Sequence, residues 1–248
     1  MQERKLLMIG NSFSWNAYTY LQSIADSSPM NLKVGDLCYG GCSLEMHWGF
    51  FQNASEVYGY ERTRRNSCGP CDVDTALESD DWTHISLQQV SGLAGRFETY
   101  QPYLDNVYNY IRERVPNAEI IIHQTWAYQK DSTHERFPDY GCDQDHMFAC
   151  IKEAYFKAAE AIGAKFIVPS GEAFQLARAS SIGDTLCEDG FHANIKGQYL
   201  AGGVFYEVVT GGSIYDAPFK PKGLTDEEFA ILRECIHSAA DMYGRDAQ

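Results

Sequence analysis

Short apolar runs alternate with longer amphipathic stretches along this 248-residue chain. Five of the apolar runs are short, rich in β-forming residues and not cleanly alternating, which is typical of strands buried on both faces. These predicted strands occupy residues 5–9, 32–38, 83–87, 119–123 and 165–168. Apolar residues recur at helical spacing over 99–115, over 145–162 and after His192, so these stretches predict amphipathic helices.

The alternation of strands and helices favours one α/β domain over residues 1–248, with a parallel sheet of five strands and helices on both faces. Two segments lie outside this pattern. Residues 49–81 form a long polar insertion with weak periodicity, and we expect this connection to be functional or to cover a site. Residues 225–243 predict a last helix, which a capping box from Thr225 to Glu228 opens.

The chain is strongly acidic, with a formal net charge of −14. Such a charge repels phosphate groups, so we expect neither nucleic acid nor a membrane as a partner. No apolar run approaches the roughly 20 residues of a membrane span, and the stretch at 6–9 is too short for a signal-peptide core. We therefore expect a cytoplasmic protein with a small-molecule partner. A mature form that has lost its signal peptide is the alternative.

Eight cysteines are scattered along the chain. A domain of this length does not need disulfides, so we expect thiols. Cys68 and Cys71 form a Cys-Gly-Pro-Cys motif, which invites a redox interpretation. The motif lies in the polar insertion rather than between a buried strand and a helix, so a loop disulfide or an incidental pair is preferred. No second pair of ligands has matching spacing, and we expect no metal and no cofactor.

Three residues carry the most specific candidate chemistry. Ser12 follows the first predicted strand, and Asp189 precedes His192 by three residues just before a helix near the end of the chain. A serine hydroxyl is a weak nucleophile at neutral pH, so it needs a base such as His192 and a carboxylate such as Asp189 to hold that base. The alternative is that Asn11 and Ser12 only cap a helix and that His192 lies in a surface turn.

Other polar residues follow the predicted strands and should meet the serine, because the carboxyl ends of parallel strands lie at one edge of a sheet. Gly41 has no side chain, so its amide can approach a substrate oxygen. Side chains alternate along a strand, so only one of Gln88 and Gln89 can face the site, and we expect Gln88 to donate to the oxyanion. The alternative is that both glutamines bind only loop backbone.

Four residues beside these strand ends are candidates for substrate binding. The rings of Tyr39 and Trp126 suit stacking on a sugar ring or an acyl group. Gln89 and Gln124 could donate or accept hydrogen bonds at the same edge. Packing in the core is the alternative for the aromatic rings.

Three blocks of this sequence resemble those of the SGNH (GDSL-type) hydrolases. The first is IGNSFS at 9–14, the second is LCYGGCS at 37–43, and the last is DGFH at 189–192. The resemblance implies a flavodoxin-like three-layer α/β/α sandwich and an esterase-type site. It also implies an oxyanion hole made from the amides of Ser12 and Gly41.

The chain departs from the superfamily at the third block, which is normally Gly-x-Asn-Asp. Here the sequence is ISLQQVS at 85–91, with no Asn, so a Gln would have to replace the side-chain donor of the oxyanion hole. Together with ETYQPY at 98–103 and QTWAY at 124–128, this sequence is similar to that of a bacterial branch of the superfamily.

The sequence therefore predicts a serine esterase that hydrolyses small acyl esters, with acetyl groups on carbohydrates as the expected substrate by superfamily analogy. In this hypothesis Ser12 attacks the carbonyl, His192 transfers the proton and Asp189 orients His192. A non-catalytic carbohydrate-binding protein that keeps the hydrolase fold is an alternative. A lipase or thioesterase of the same superfamily and a thiol-redox protein are the others.

Overall fold

In the computed structural model, which describes residues 3–62 and 66–244, seven strands form one sheet. The strands are β1 (Arg4–Gly10), β2 (Leu32–Cys38), β3 (Tyr58–Arg62), β4 (Asn66–Cys71), β5 (His84–Leu87), β6 (Glu119–Gln124) and β7 (Ile167–Pro169). Their order across the sheet is β4-β3-β2-β1-β5-β6-β7. The five strands from β2 to β7 in this order are parallel, and β3 and β4 are antiparallel at one edge.

Eight α-helices occur in the same ranges and pack in two groups. They are α1 (Ser12–Asp26), α2 (Leu44–Gln52), α3 (Val73–Glu78), α4 (Tyr103–Arg114), α5 (Gln144–Ile162), α6 (Ser170–Ala179), α7 (Ile195–Thr210) and α8 (Asp226–Tyr243). α1, α6, α7 and α8 contact one another on one face of the sheet, and α2, α4 and α5 lie on the other. None of these helices is long and apolar enough to cross a membrane.

The α/β prediction is confirmed. All five predicted strands are present and parallel, and their ends agree with the prediction to within two residues. They are buried because helices cover both faces, which explains why their sequences are apolar without clean alternation. The predicted capping box is also present: the Thr225 hydroxyl accepts from the Glu228 amide at 3.1 Å, and the Glu228 carboxylate accepts from the Thr225 amide at 2.9 Å.

Among the described residues the sheet has seven strands rather than five, because the described part of 49–81 has more regular structure than its polar sequence predicts. It contains the end of α2, the hairpin of β3 and β4, and α3. Tyr58 and Tyr60 point into the core and are buried, while Gly59 between them is exposed. This alternation covers only a few residues, which is too short to stand out against the glycines and charges around it.

Cys68 and Cys71 lie in the edge strand β4, so the prediction of a loop around them was wrong. No disulfide occurs among the described residues. A thioredoxin-like motif must lie at the start of a helix. This motif is instead inside an antiparallel strand.

Candidate active site

Ser12 lies where β1 passes directly into α1. Asn11 caps the helix, and its Oδ1 accepts a hydrogen bond from a first-turn amide at 3.1 Å. Gly10 is required just before the turn, because a Cβ there would lie 2.8 Å from the Ser14 Oγ and 3.0 Å from the Gln88 Cδ. The tight turn leaves Ser12 half-buried at the carboxyl edge of the sheet, with the amides of the helix N-terminus beside it.

His192 and Asp189 meet Ser12 across 180 residues of sequence. The His192 Nε2 lies 3.0 Å from the Ser12 Oγ, and the His192 Nδ1 lies 2.6 Å from the Asp189 Oδ2. A carboxylate can only accept, so it favours the tautomer with hydrogen on Nδ1 and leaves Nε2 to accept from the serine hydroxyl. This arrangement is one in which a hydroxyl can lose its proton to an imidazole.

Backbone amides hold the Asp189 carboxylate in place. Its Oδ1 accepts from the amide of His192 at 2.7 Å and from that of Phe191 at 3.1 Å, so the motif forms a closed turn. Burial by itself would raise the pKa of Asp189, but the hydrogen bonds from the His192 ring and from these two amides lower the pKa below its usual value. The carboxylate is therefore ionised at neutral pH.

A second loop supports this turn, and no feature of the sequence indicates it. Gly190 has a φ of +90°, and a Cβ there would lie 3.0 Å from the Ser132 Cα, in the connection after β6. The amide of Gln129 donates to the Gly190 carbonyl at 2.8 Å, and the Trp126 indole donates to the Phe191 carbonyl at 2.9 Å. The turn that carries the imidazole is thus fixed by backbone contacts on both sides.

Gly41 lies in a tight turn from Tyr39 to Cys42, at the carboxyl end of β2. The Cys42 amide donates to the Tyr39 carbonyl at 3.1 Å, and Gly41 has a φ of +69°. Only Gly41 of the two central glycines has a positive φ, which identifies a type II turn. In this turn the Gly41 amide is not part of the closing hydrogen bond, and no atom would lie within 4 Å of a Cβ there. The space beside the Gly41 Cα is therefore open, and the closing hydrogen bond of the turn leaves its amide available to a ligand.

Gln88 does not occupy the position that the sequence predicted for it. The side chain is only 3% exposed, its Nε2 donates to the Asn11 Oδ1 at 2.7 Å, and its Oε1 lies 2.6 Å from the His123 Nδ1. The expectation of a donor to a substrate oxygen is corrected, because both ends of the amide bind buried protein groups.

Gln89 and Gln124 are fully buried and are not available to a ligand, in contrast to the expectation. Gln89 does point to the other face of the sheet, as strand alternation predicts, and its Oε1 accepts from the Leu44 amide at 3.0 Å. The Gln124 Oε1 accepts from the Glu172 amide at 3.2 Å, and its Nε2 donates to the Tyr243 hydroxyl at 3.3 Å. Both side chains fix the ends of helices.

The two predicted aromatic residues differ. Trp126 is in the core, with no exposed surface, and stacks between Phe13 at 4.2 Å and Phe174 at 4.5 Å between ring centroids. The expectation that it binds substrate is therefore corrected. Tyr39 stays half-buried beside the oxyanion turn and packs edge-on against Phe50 at 5.0 Å.

Rings that the sequence reasoning missed surround His192. Phe191 lies 4.2 Å from the His192 ring, and His134 lies 4.7 Å from Phe191 and 4.5 Å from Tyr128. Burial lowers the pKa of His134. Phe191 could have been noticed from its place within the motif, but nothing in the sequence around His134 links it to the site. Tyr128 is fully buried, whereas Phe191, His134 and Tyr39 are half-buried and provide flat ring surface near Ser12.

No group of three or more His, Cys, Asp or Glu side chains that could hold a metal ion occurs in residues 3–62 and 66–244.

The sequence and the fold have known counterparts. The profile of a family described as "Domain of unknown function (DUF4886)" matches residues 5–239. The chain belongs to the DUF4886 family. The crystal structure of a DUF4886 family protein from Bacteroides uniformis ATCC 8492 has 33% sequence identity and a TM-score of 0.94, over 100% of this chain and 98% of that chain. No curated protein matches this DUF4886 chain in sequence.

More distant structures share the fold. A candidate SGNH hydrolase from Slackia heliotrinireducens is 22% identical with a TM-score of 0.60, over 85% of this chain and 100% of that chain. A catalytic mutant of Axe2, an acetylxylan esterase from Geobacillus stearothermophilus, is 12% identical with a TM-score of 0.54, over 89% of this chain and 97% of that chain. The DUF4886 protein therefore has the fold of the SGNH hydrolases, as the sequence blocks predict.

Proposed function

We propose that this DUF4886 protein is a serine esterase that hydrolyses small acyl esters, with acetyl esters of carbohydrates as the substrate class. The observation that carries the proposal is the continuous contact from the Ser12 Oγ to the His192 Nε2 and from the His192 Nδ1 to Asp189. A structural serine needs no such base, and a capping role alone would leave the His192 ring without a reason to face it.

In the proposed reaction the Ser12 Oγ attacks the ester carbonyl while the His192 Nε2 takes its proton. The amides of Ser12 and Gly41 stabilise the negative charge that develops on the carbonyl oxygen. Collapse of the tetrahedral intermediate expels the alcohol, which receives the proton from His192 and leaves an acyl-Ser12. Water then attacks the acyl group, with His192 again taking and returning the proton, and releases the carboxylic acid. Asp189 stays ionised and stabilises the imidazolium.

The substrate class rests on the surroundings of Ser12. The half-buried rings of Phe191, His134 and Tyr39 suit contact with the apolar face of a sugar ring. The net charge of −14 disfavours anionic substrates. We therefore propose a neutral carbohydrate ester as the partner, with no nucleic acid, membrane or cofactor. Axe2, which shares the fold, is an acetylxylan esterase.

A panel of nitrophenyl esters of increasing chain length and of acetylated sugars tests the proposal, with wild type, Ser12→Ala and Ser213→Ala compared. Ser213 is likewise a serine at the start of a helix, where it caps a short 3₁₀ turn beyond the far end of α7, so Ser213→Ala is the matched control. We expect hydrolysis of acetyl esters, a loss of at least about a thousandfold in Ser12→Ala, and no loss in the control.

If Ser12→Ala hydrolyses esters as fast as wild type does, Ser12 is not the nucleophile. Binding of sugars without hydrolysis of any ester would instead indicate a carbohydrate-binding protein.

A further inference from the structure

Four buried polar side chains form a chain across one face of the sheet, below the carboxyl ends of its parallel strands. Asn11 follows β1, Gln88 follows β5, His123 lies in β6, and Ser170 opens α6 after β7. The contacts are 2.7 Å from the Gln88 Nε2 to the Asn11 Oδ1, 2.6 Å from the Gln88 Oε1 to the His123 Nδ1, and 3.1 Å from the His123 Nε2 to the Ser170 Oγ. None of the four is more than 3% exposed.

The backbone fixes the direction of every hydrogen bond among these four side chains. The Cys42 carbonyl can only accept, so the Asn11 Nδ2 faces it at 3.0 Å and the Asn11 Oδ1 must accept. The Gln88 Nε2 therefore donates to Asn11, and the Gln88 Oε1 accepts from the His123 Nδ1. His123 then carries its hydrogen on Nδ1 and accepts from the Ser170 hydroxyl on Nε2. Burial lowers the pKa of His123 to about 3, so the ring is neutral.

Asn11 joins the two backbone segments that flank Ser12. Its Oδ1 accepts from the first-turn amide of α1, and its Nδ2 donates to the carbonyl of Cys42, the residue whose amide closes the turn of Gly41. The Tyr39 amide also joins these segments by donating to the Gly10 carbonyl at 3.1 Å, and the Asn11 side chain adds the contacts between the Gly41 turn and the first turn of α1. A rotation of the Asn11 amide would break both contacts, and the Gln88 amide prevents it.

We propose that Gln88 and His123 are positioning residues for the oxyanion hole: they lock the amide of Asn11, which sets the Gly41 turn against the start of α1. The proposal rests on the proposed esterase function. It explains why this protein has Gln88 at the place where the SGNH hydrolases have an Asn that donates to the oxyanion. The glutamine acts through Asn11 and the backbone, and it does not touch the substrate.

The first experiment compares Gln88→Met with Gln22→Met. Gln22 is a buried amide that binds the backbone of Leu32 at 2.9 Å and of Val34 at 3.1 Å, at the amino end of β2 and away from Ser12. Both variants lose a buried amide of similar size, and both should unfold at lower denaturant concentration. We expect kcat for nitrophenyl acetate to fall about a hundredfold in Gln88→Met only, with KM within about threefold of wild type, because an oxyanion contact strengthens in the transition state.

The second experiment uses His123→Leu and His123→Asn. An Asn amide can donate to Gln88 from nearly the place of the imidazole Nδ1, whereas Leu cannot. We expect kcat to fall in His123→Leu and to recover at least about tenfold in His123→Asn. The pH at which kcat/KM is half-maximal should stay at the wild-type value in both variants, because the side chain at position 123 does not contact His192.

Equal kcat in Gln88→Met and Gln22→Met, or no recovery in His123→Asn, would overturn the positioning role. If wild type and Ser12→Ala hydrolyse esters equally, the proposed function itself fails, and this outcome is distinct because it does not involve the positioning variants.

Discussion

Asp189→Asn is the substitution whose result the structure specifies most closely. The two backbone amides at the Asp189 Oδ1 require an oxygen acceptor at that position. An asparagine has only one oxygen, so its Oδ1 stays with the amides and its NH₂ group faces the His192 Nδ1. The reverse orientation would leave two N–H groups facing an NH₂, at a cost of about 1 kcal/mol or more for each.

A donor at Nδ1 reverses the tautomer of His192. The ring then carries its hydrogen on Nε2 and donates to the Ser12 Oγ, so it cannot take the proton of the hydroxyl. The same exchange in a Ser-His-Asp protease lowers kcat about 10⁴-fold, and a loss of 10³- to 10⁴-fold corresponds to about 4–5.5 kcal/mol of transition-state free energy. We expect Asp189→Asn to fall in this range and to be no more active than Asp189→Ala.

The assay is kcat and KM for nitrophenyl acetate, with Glu188→Gln as the control. Glu188 is the exposed neighbour of Asp189, and the control removes the same charge without touching the imidazole. We expect the control to keep wild-type kcat. An Asp189→Asn enzyme within about tenfold of wild type would refute the tautomer argument, and a control as inactive as Asp189→Asn would mean that net charge, not geometry, matters.

Three further results follow from the structure. Trp126→Ala should lower the free energy of unfolding by about 3–5 kcal/mol in urea titrations, because a fully buried ring is removed from between two others; a loss below about 1 kcal/mol would contradict the core placement. Burial, and secondarily the charge of Glu61, raises the pKa of Asp36 to about 8. The contribution of Asp36 to the stability of the fold is therefore complete below pH 3.8 and is lost as pH rises towards 8. Asp36→Asn should therefore raise Tm relative to wild type at pH 8 but not at pH 3.5, and an equal shift at both would argue against it. Joint replacement of Cys68 and Cys71 by Ser should leave ester hydrolysis within a few-fold of wild type, and a loss as large as that of Ser12→Ala would revive the redox interpretation.

The parallel core of the fold could be predicted because its physical cause is local. A strand covered on both faces must be apolar at successive positions, and the five parallel strands show this directly. The edge hairpin could not be predicted in the same way. Its inward positions, Tyr58 and Tyr60, are few, and the docking of the hairpin on β2 depends on the tertiary structure.

The site likewise has a part that the sequence predicts and a part that depends on the tertiary structure. Asp189 and His192 are three residues apart in one turn, so the sequence itself brings them together, and the order of strands brings Ser12 to them. Strand alternation correctly separated the faces of Gln88 and Gln89. It could not show that the Gln88 amide is already bound at both ends, because its partners come from other strands.

Aromatic residues at strand ends were equally ambiguous. Trp126 and Tyr39 both follow strands, but only the packing of α1 and α6 determines that Trp126 is enclosed by rings from these helices. Tyr39 has no such cover on one side and stays half-buried.

Covalent labelling of Ser12 is the most direct test of Ser12 as the nucleophile and of His192 as its base. Wild type, His192→Ala and Ser12→Ala are treated with a fluorophosphonate, and the modified peptide is identified by mass spectrometry. We expect one adduct, on the Ser12 hydroxyl, which forms at least about a thousandfold more slowly in His192→Ala. An adduct on another residue, or labelling of Ser12 at the same rate without His192, would contradict the proposed nucleophile and base.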